Sequence, residues 1–340
     1  MVAGIQPEAV TEWLRQRADI TPPLEFELIT GGHSNLTFRV TDRRGGRWVL
    51  RRPPLKSVLS TAHDMAREHR VIDALRSSAV PVPEAVGLCT DSEVNGAPFY
   101  VMRFVDGHVL RDRRRAETLA PETRAAAGAA LVETLAALHR VNPDSVGLGD
   151  LGKKEDYVGR QLRRWSRQLE NASRPLVELH SIHRELVATA PAQEGAGIVH
   201  GDYRLDNCIV AEDGSVASVL DWELCTLGDV RADLGMLMVY WSEAGDGFFP
   251  LEDPPTTAPG FPSRRALIER YEATMSQSVS ALPWFVAFAH WRLACILEGV
   301  YTRYVAAAMG EVPANVERFK TATDALTQRA AKILDGTPAI

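Results

Sequence analysis

The sequence predicts an α+β chain of two lobes, a small antiparallel sheet followed by a larger, mainly helical body. Three observations predict it. Residues 1–105 read as short alternating segments punctuated by turns, with one helical stretch inside them. From about Leu119 onward the apolar spacing becomes helical. One polar strand–turn–strand block, residues 198–221, interrupts the helical half. Asp106-Gly107 marks the expected boundary, giving lobes of residues 1–105 and 106–340.

The 340 residues are 45% apolar and 24% charged, a globular rather than a disordered composition. A net charge of −6 and a pI near 5.9 supply no basic field for nucleic acid or an anionic membrane. The acidic excess lies after residue 190. Cys89, Cys208, Cys225 and Cys295 lack the close spacing of a metal site, and three of them lie in apolar surroundings as small core residues. No basic leader and no bilayer-length apolar run is evident, so a reducing cytoplasm is the expected location. The oligomeric state, monomer or homodimer, is left open.

Pro7 opens a short helix over residues 7–18 that carries Val10, Trp13 and Leu14. Alternation through Phe26 and Leu28 predicts a strand, TGGHSN a turn, and LTFRV the next strand. Asp42, Gly45 and Gly46 predict a hairpin turn into Trp48–Leu50, which Pro53-Pro54 ends. Met65, Glu68, Ile72 and Leu75 fall on one side of a helix over 61–76. PVPEAVGLC and PFYVMRFV complete the sheet. Helices are then expected at 121–140, 156–170, 175–189, 229–243, 263–279, 281–304 and 311–334. The Gly- and Pro-rich stretch 245–262 reads as a long surface or active-site loop.

The sharpest chemical signal is IVHGDYRLDNCIV followed by VASVLDWE. A hairpin of this length is expected to bring Asp202, Asn207 and Asp221 to one end of a small sheet. Asp221 can offer magnesium a hard anionic oxygen, and Asn207 a neutral one. Asp202 can orient a substrate hydroxyl and accept its proton. Polar turn-capping explains any one of these residues, but not the ordered set.

The first lobe offers a matching nucleotide site. Gly31 and Gly32 allow backbone amides to approach phosphate, with His33, Ser34 and Asn35 in the same turn. It is not a P-loop, because no GKS or GKT follows. Arg51 is placed to reach the phosphates, and Glu68 to hold it through a charge-assisted pair. Backbone groups of Arg103, Phe104 and Val105 could meet an adenine edge, with Val49 and Met102 on its faces.

These motifs together resemble the aminoglycoside phosphotransferase and choline kinase superfamily. The chain is most similar to the kinase-like domains related to those fused to acyl-CoA dehydrogenases. GGHSNLTF, WVLRRPP, AREHRVIDAL, VPVPEAVGLC, GAPFYVMRFVDG, HGDYRLDN, LDWELCTLGDVRADLG and PGFPSR occur in the family's order. The resemblance implies a bilobal protein-kinase-like fold and ATP- and Mg2+-dependent transfer to a small-molecule hydroxyl. It assigns Asp202 the catalytic position, Asn207 and Asp221 the metal, and Glu68 the partner of the phosphate-binding side chain. Arg51 stands where many members have lysine. His200 reads as a structural hydrogen-bonding residue, and Asp229 and Asp233 as supports of the loop.

The acceptor is less defined. The fusion-related branch suggests a hydroxylated acyl thioester or another lipid-related alcohol. Arg111, Arg113–Arg115, Lys153, Lys154, Arg163 and Arg164 are candidates to meet an anionic carrier. The acidic C-terminal half is compatible with the alternative, an aminoglycoside. A kinase-fold scaffold without catalysis is the remaining class, and the presence of Asp202, Asn207 and Asp221 together argues against it.

Overall fold

In this computed structural model residues 2–29, 35–55, 64–248, 250, 252–305 and 316–338 are described. Five antiparallel strands build the first lobe: β1 (Glu25–Leu28), β2 (Leu36–Thr41), β3 (Arg47–Arg52), β4 (Ala85–Cys89) and β5 (Phe99–Arg103), in the order β1-β2-β3-β5-β4. The β2–β3 turn forms as expected. Gly45 takes φ +81°, and Asp42 Oδ1 accepts the amides of Arg44 and Gly46 at 3.0 and 2.7 Å.

The two faces of the sheet follow the period of two. Phe38, Val40, Trp48, Leu50, Phe99 and Val101 form an outer core with Val10, Trp13 and Leu14 of the helix Pro7–Arg15. Trp13 meets Phe99 edge-on at 4.9 Å between ring centroids. Burying each such side chain is worth about 1.5–3 kcal/mol. Val49, Tyr100 and Met102 belong instead to the main core, with Met65, Val71, Ile72 and Leu75 of the helix Met65–Leu75. Asp64 caps that helix by accepting the Arg67 amide at 2.9 Å.

After β5 the chain passes to the helical half through Gly107. Gly107 takes φ +142°, and a Cβ there would lie 2.6 Å from the Val210 carbonyl oxygen, so only glycine fits. His108 and Val210 then exchange backbone hydrogen bonds at 2.7 and 2.9 Å.

The second lobe is built on the long helices Pro121–Arg140, Tyr157–Leu169, Val177–Ala188, Arg231–Tyr240, Arg264–Met275, Leu282–Val305 and Glu317–Leu334. Among the described residues no helix is long and apolar enough to cross a membrane. All four cysteines are free and buried.

One local expectation needs correction. Residues 197–228 form two separate ribbons rather than one small sheet. β6 (Gly197–Val199) pairs with β9 (Thr226–Gly228), and β7 (Cys208–Val210) pairs with β8 (Val216–Val219). Asp202 therefore lies on a loop between ribbons and needs other supports to reach Asn207 and Asp221. Among the described residues of 245–262 the one helical turn is Pro255–Thr257, and the later part of the stretch is tied back to Trp241 and Ser242. Thr256 Oγ1 donates to the Ser242 carbonyl at 2.8 Å, and Trp241 Nε1 to that of Pro262 at 2.9 Å.

Candidate active site

The loop His200–Asn207 carries the central carboxylate. Asp233, in the first turn of the helix Arg231–Tyr240, accepts the backbone amides of His200 and Gly201 at 2.6 and 2.9 Å. Although burial opposes it, the hydrogen bond and charge of His139 and the hydrogen bond from the Gly201 amide hold the Asp233 carboxyl below its usual range. Asp229 instead grips Arg231 through both oxygens, at 2.9 Å to Nε and 2.7 Å to Nη2. His200 Nε2 donates to the Leu220 carbonyl at 2.9 Å, and its Nδ1 accepts the Asp202 amide at 3.2 Å. Both ring nitrogens are thus engaged in holding the loop.

Asp202 keeps a side chain 27% exposed. The Asn207 amide nitrogen donates to the Asp202 carbonyl at 2.8 Å and to its Oδ2 at 3.1 Å. That leaves the Asn207 carbonyl oxygen for another partner. The Leu220 amide donates to the backbone carbonyl of Asn207 at 2.8 Å, leaving the side-chain Oδ1 free, and this brings Asp221 alongside. Asp221 itself takes the left-handed conformation, φ +65° and ψ +64°, a strain of about 1–3 kcal/mol for a non-glycine residue.

Across the cleft, Arg51 of β3 meets three carboxylates. Its Nη2 lies 2.6 Å from Asp221 Oδ1 and 3.8 Å from Glu223 Oε2, and its Nε 3.3 Å from Glu68 Oε2. One guanidinium serving three acids leaves Glu68 under-compensated. Burial, aided by Asp221 and Glu223 and opposed by Arg51, pushes the Glu68 carboxyl up to about 7. Asn35 is buried, donates Nδ2 to Glu223 at 3.2 Å, and leaves its carbonyl oxygen without a partner.

Val49 and Met102 are cross-strand partners on the inner face of the sheet, 7% and 6% exposed. The amides of Arg103 and Phe104 are committed to the Glu84 and Arg47 carbonyls at 2.8 and 3.2 Å. Of the run Arg103–Val105, only the Val105 amide is left without a protein partner among the described residues. Gly31, Gly32, His33 and Ser34 lie outside the described residues.

Four further side chains surround Asp202 or its loop: Arg204, Asp206, Tyr240 and Arg292. Arg204 Nε lies 3.3 Å from Asp202 Oδ2, and its Nη1 3.1 Å from Asp206 Oδ2. Its guanidinium carbon stands 4.8 Å over the Tyr240 ring. With Leu237, Trp241, Pro255 and Thr256 these residues line a small pocket. Arg204 and Asp206 sit inside HGDYRLDN, so the motif contained them. Tyr240 and Arg292, which donates Nη2 to the Gly201 carbonyl at 2.7 Å, had no local signal.

The donor set fits magnesium. The Asp221 carboxylate and the Asn207 side-chain Oδ1 are oxygens of the hard kind that magnesium takes alongside water and phosphate. Among the described residues no group of three or more His, Cys, Asp or Glu side chains converges as a metal cage.

An antiparallel sheet over a helical body, with Asp202, Asn207 and Asp221 facing Arg51 and Glu68 across the cleft, defines a kinase-like phosphotransferase. The chain belongs to the phosphotransferase enzyme family, whose model matches residues 25–256. It is 35% identical over 295 residues to mouse acyl-CoA dehydrogenase family member 10, covering 83% of this chain and 27% of that protein. The chain thus spans well under half of the curated relatives it matches. A crystal structure from Ralstonia eutropha, named as a candidate aminoglycoside phosphotransferase, superposes with TM-score 0.82 at 31% identity over 97% of this chain and 98% of that one. The streptomycin–ATP ternary complex of aminoglycoside phosphotransferase APH(2'')-IIa shares the fold, with TM-score 0.59 at 16% identity over 98% and 99% of the two chains.

Proposed function

We propose that this protein transfers the γ-phosphoryl group of ATP to a hydroxyl of a small hydroxyacyl or lipid-related metabolite. The observation that carries the chemistry is the joint placement of Asp202, Asn207 and Asp221, held by Asp233 and His200 and faced by Arg51. Relatedness to acyl-CoA dehydrogenase family members supports the acceptor class.

In this reading Asp202 orients the acceptor hydroxyl and takes its proton as the bond to phosphorus forms. The Asn207 amide, donating to Oδ2, fixes the carboxylate rotamer for that task. Arg51, steadied by Glu68, binds phosphate oxygens, and Asn35 lies at the end of the turn that covers them. The faces of Val49 and Met102 hold the adenine, and the Arg103–Val105 segment its edge through the Val105 amide. Asn207 and Asp221 would hold magnesium, which supplies neutralisation of phosphate charge when bound.

The test is magnesium-dependent ADP release across hydroxyacyl-CoA esters, choline-like alcohols, sugars and aminoglycosides. Turnover on one class that falls about 10²–10⁴-fold in Asp202→Asn, with Mg-ADP affinity retained, is the expected result. A nucleotide-binding protein silent on every class would overturn it.

A further inference from the structure

We propose that Arg204, seated on the ring of Tyr240, is a positioning residue for phosphoryl transfer. With Asn207 it pins one oxygen of Asp202, so that the other, Oδ1, receives the acceptor's proton. This rests on the phosphotransfer reading and specifies which oxygen of Asp202 works in it.

The two oxygens of Asp202 stand in different surroundings. Oδ2 accepts the Asn207 Nδ2 hydrogen bond at 3.1 Å and faces the Arg204 Nε at 3.3 Å. Among the described residues Oδ1 has no hydrogen-bond partner, and it is not closed off from solvent. A carboxylate gripped through one oxygen keeps its plane and still offers the lone pairs of the other. An acceptor hydroxyl approaching Asp202 therefore meets Oδ1. Its proton passes to Oδ1 as its oxygen bonds the γ-phosphorus. The bond to the β,γ-bridging oxygen breaks, its electron pair leaves on ADP, and the proton is then given up to solvent.

Arg204 is itself held from two sides. Its Nη1 lies 3.1 Å from Asp206 Oδ2, and its guanidinium carbon 4.8 Å from the centre of the Tyr240 ring. A planar fork can serve two carboxylates and a ring face at once, which an ammonium cannot. The Arg204 Nε is buried without an aligned hydrogen bond, so its hold on Asp202 is electrostatic and needs the guanidinium kept in place. The seat that keeps it belongs to the helix that already anchors the loop. Asp233 and Tyr240 are seven residues apart in Arg231–Tyr240, hence on one face. Asp233 fixes the amides of His200 and Gly201, and Tyr240 fixes the side chain two residues beyond Asp202. One helix face thus sets both the place of Asp202 and its rotation.

The experiment compares Arg204→Gln, Arg204→Lys, Tyr240→Leu and the double variant of Arg204→Gln with Tyr240→Leu, all in the full chain. ADP release from Mg-ATP is followed with the alcohol accepted in the panel above and with water alone as acceptor, and Mg-ADP affinity by calorimetry. Arg204→Gln should lower kcat about a hundredfold, with the acceptor KM and the Mg-ADP Kd unchanged, and Arg204→Lys should recover part of it. Tyr240→Leu should lower kcat less, and the double variant no further than Arg204→Gln alone. If Arg204→Gln does not fold, Arg204→Lys carries the test, with kcat below wild type at unchanged KM. Crystal structures with Mg-ADP read the aim directly: without the guanidinium, the Asp202 carboxylate should turn from Asn207 or take two orientations. An unchanged kcat, a loss confined to KM, additive losses, or an Asp202 that keeps its orientation would each overturn the proposal. A wild-type protein that binds Mg-ADP but is silent with every alcohol and with water would instead overturn the phosphotransfer reading, and with it the route to Oδ1. The crystal structures would then still decide whether Arg204 aims Asp202.

Discussion

Asp233 holds Gly201 by its backbone amide at 2.9 Å, so a residue in a helix fixes the loop that presents Asp202. The same carboxylate takes the His200 amide at 2.6 Å, and it is 1% exposed. The loop that carries Asp202 thus has its main anchor in the following helix rather than in its own strands.

Replacing Asp233 with Ala leaves two buried amides without acceptors, and should cost about 3 kcal/mol of stability. The effect has a pH signature. The folded pKa is depressed below the ordinary aspartate value of 3.8, so the stabilising contribution is present above that value and is lost as pH falls through the folded one. The stability difference between wild type and Asp233→Ala in urea should therefore hold above the ordinary carboxylate range and shrink as pH falls below it. A constant difference down to pH 2 would refute the assignment.

Glu68 should act with the opposite sign. Its folded pKa is raised from 4.5 to about 7, so its contribution is full below pH 4.5 and declines as pH rises towards 7. In magnesium-free buffer, the stability of wild type should decline across that window, and Glu68→Gln should flatten the decline. Parallel urea midpoints for the two proteins would count against it.

Arg51→Lys retains charge but loses the planar fork that reaches Glu68 and Asp221 together. We expect Mg-ADP affinity to fall about tenfold. Calorimetry would show an unchanged Kd if a point charge were sufficient.

Gly235→Ala tests the packing behind the site. A Cβ there would lie 2.6 Å from the Phe285 carbonyl oxygen and 2.8 Å from its carbon. The helices Arg231–Tyr240 and Leu282–Val305 would have to separate, at about 1–3 kcal/mol. A lowered urea midpoint with unchanged slope is the expected reading.

The elements that carried a clear period were legible from sequence. Pro121–Arg140 is 20 residues of Ala- and Leu-rich repeat, long enough to fix both its type and its ends. Thr226–Gly228 was not legible, since three residues cannot display alternation and its partner lies far back in the chain. The site divided in the same way. Asp202, Asn207 and Asp221 share one short block, where local spacing specifies proximity. Arg292 reaches Gly201 from 91 residues away, and only the packing of the helices brings it there.

The buried cysteines have a practical consequence. Burial pushes the Cys208 thiol up to about 12 and raises that of Cys89, and only an exposed thiolate reacts readily with alkylating reagents. Cys89 lies in the sheet lobe, while Cys208, Cys225 and Cys295 lie in the helical one. Pulsed alkylation followed by peptide mass analysis would therefore time the opening of each half of the molecule separately, with Cys208 reporting on the strand next to Asn207, and without any introduced label.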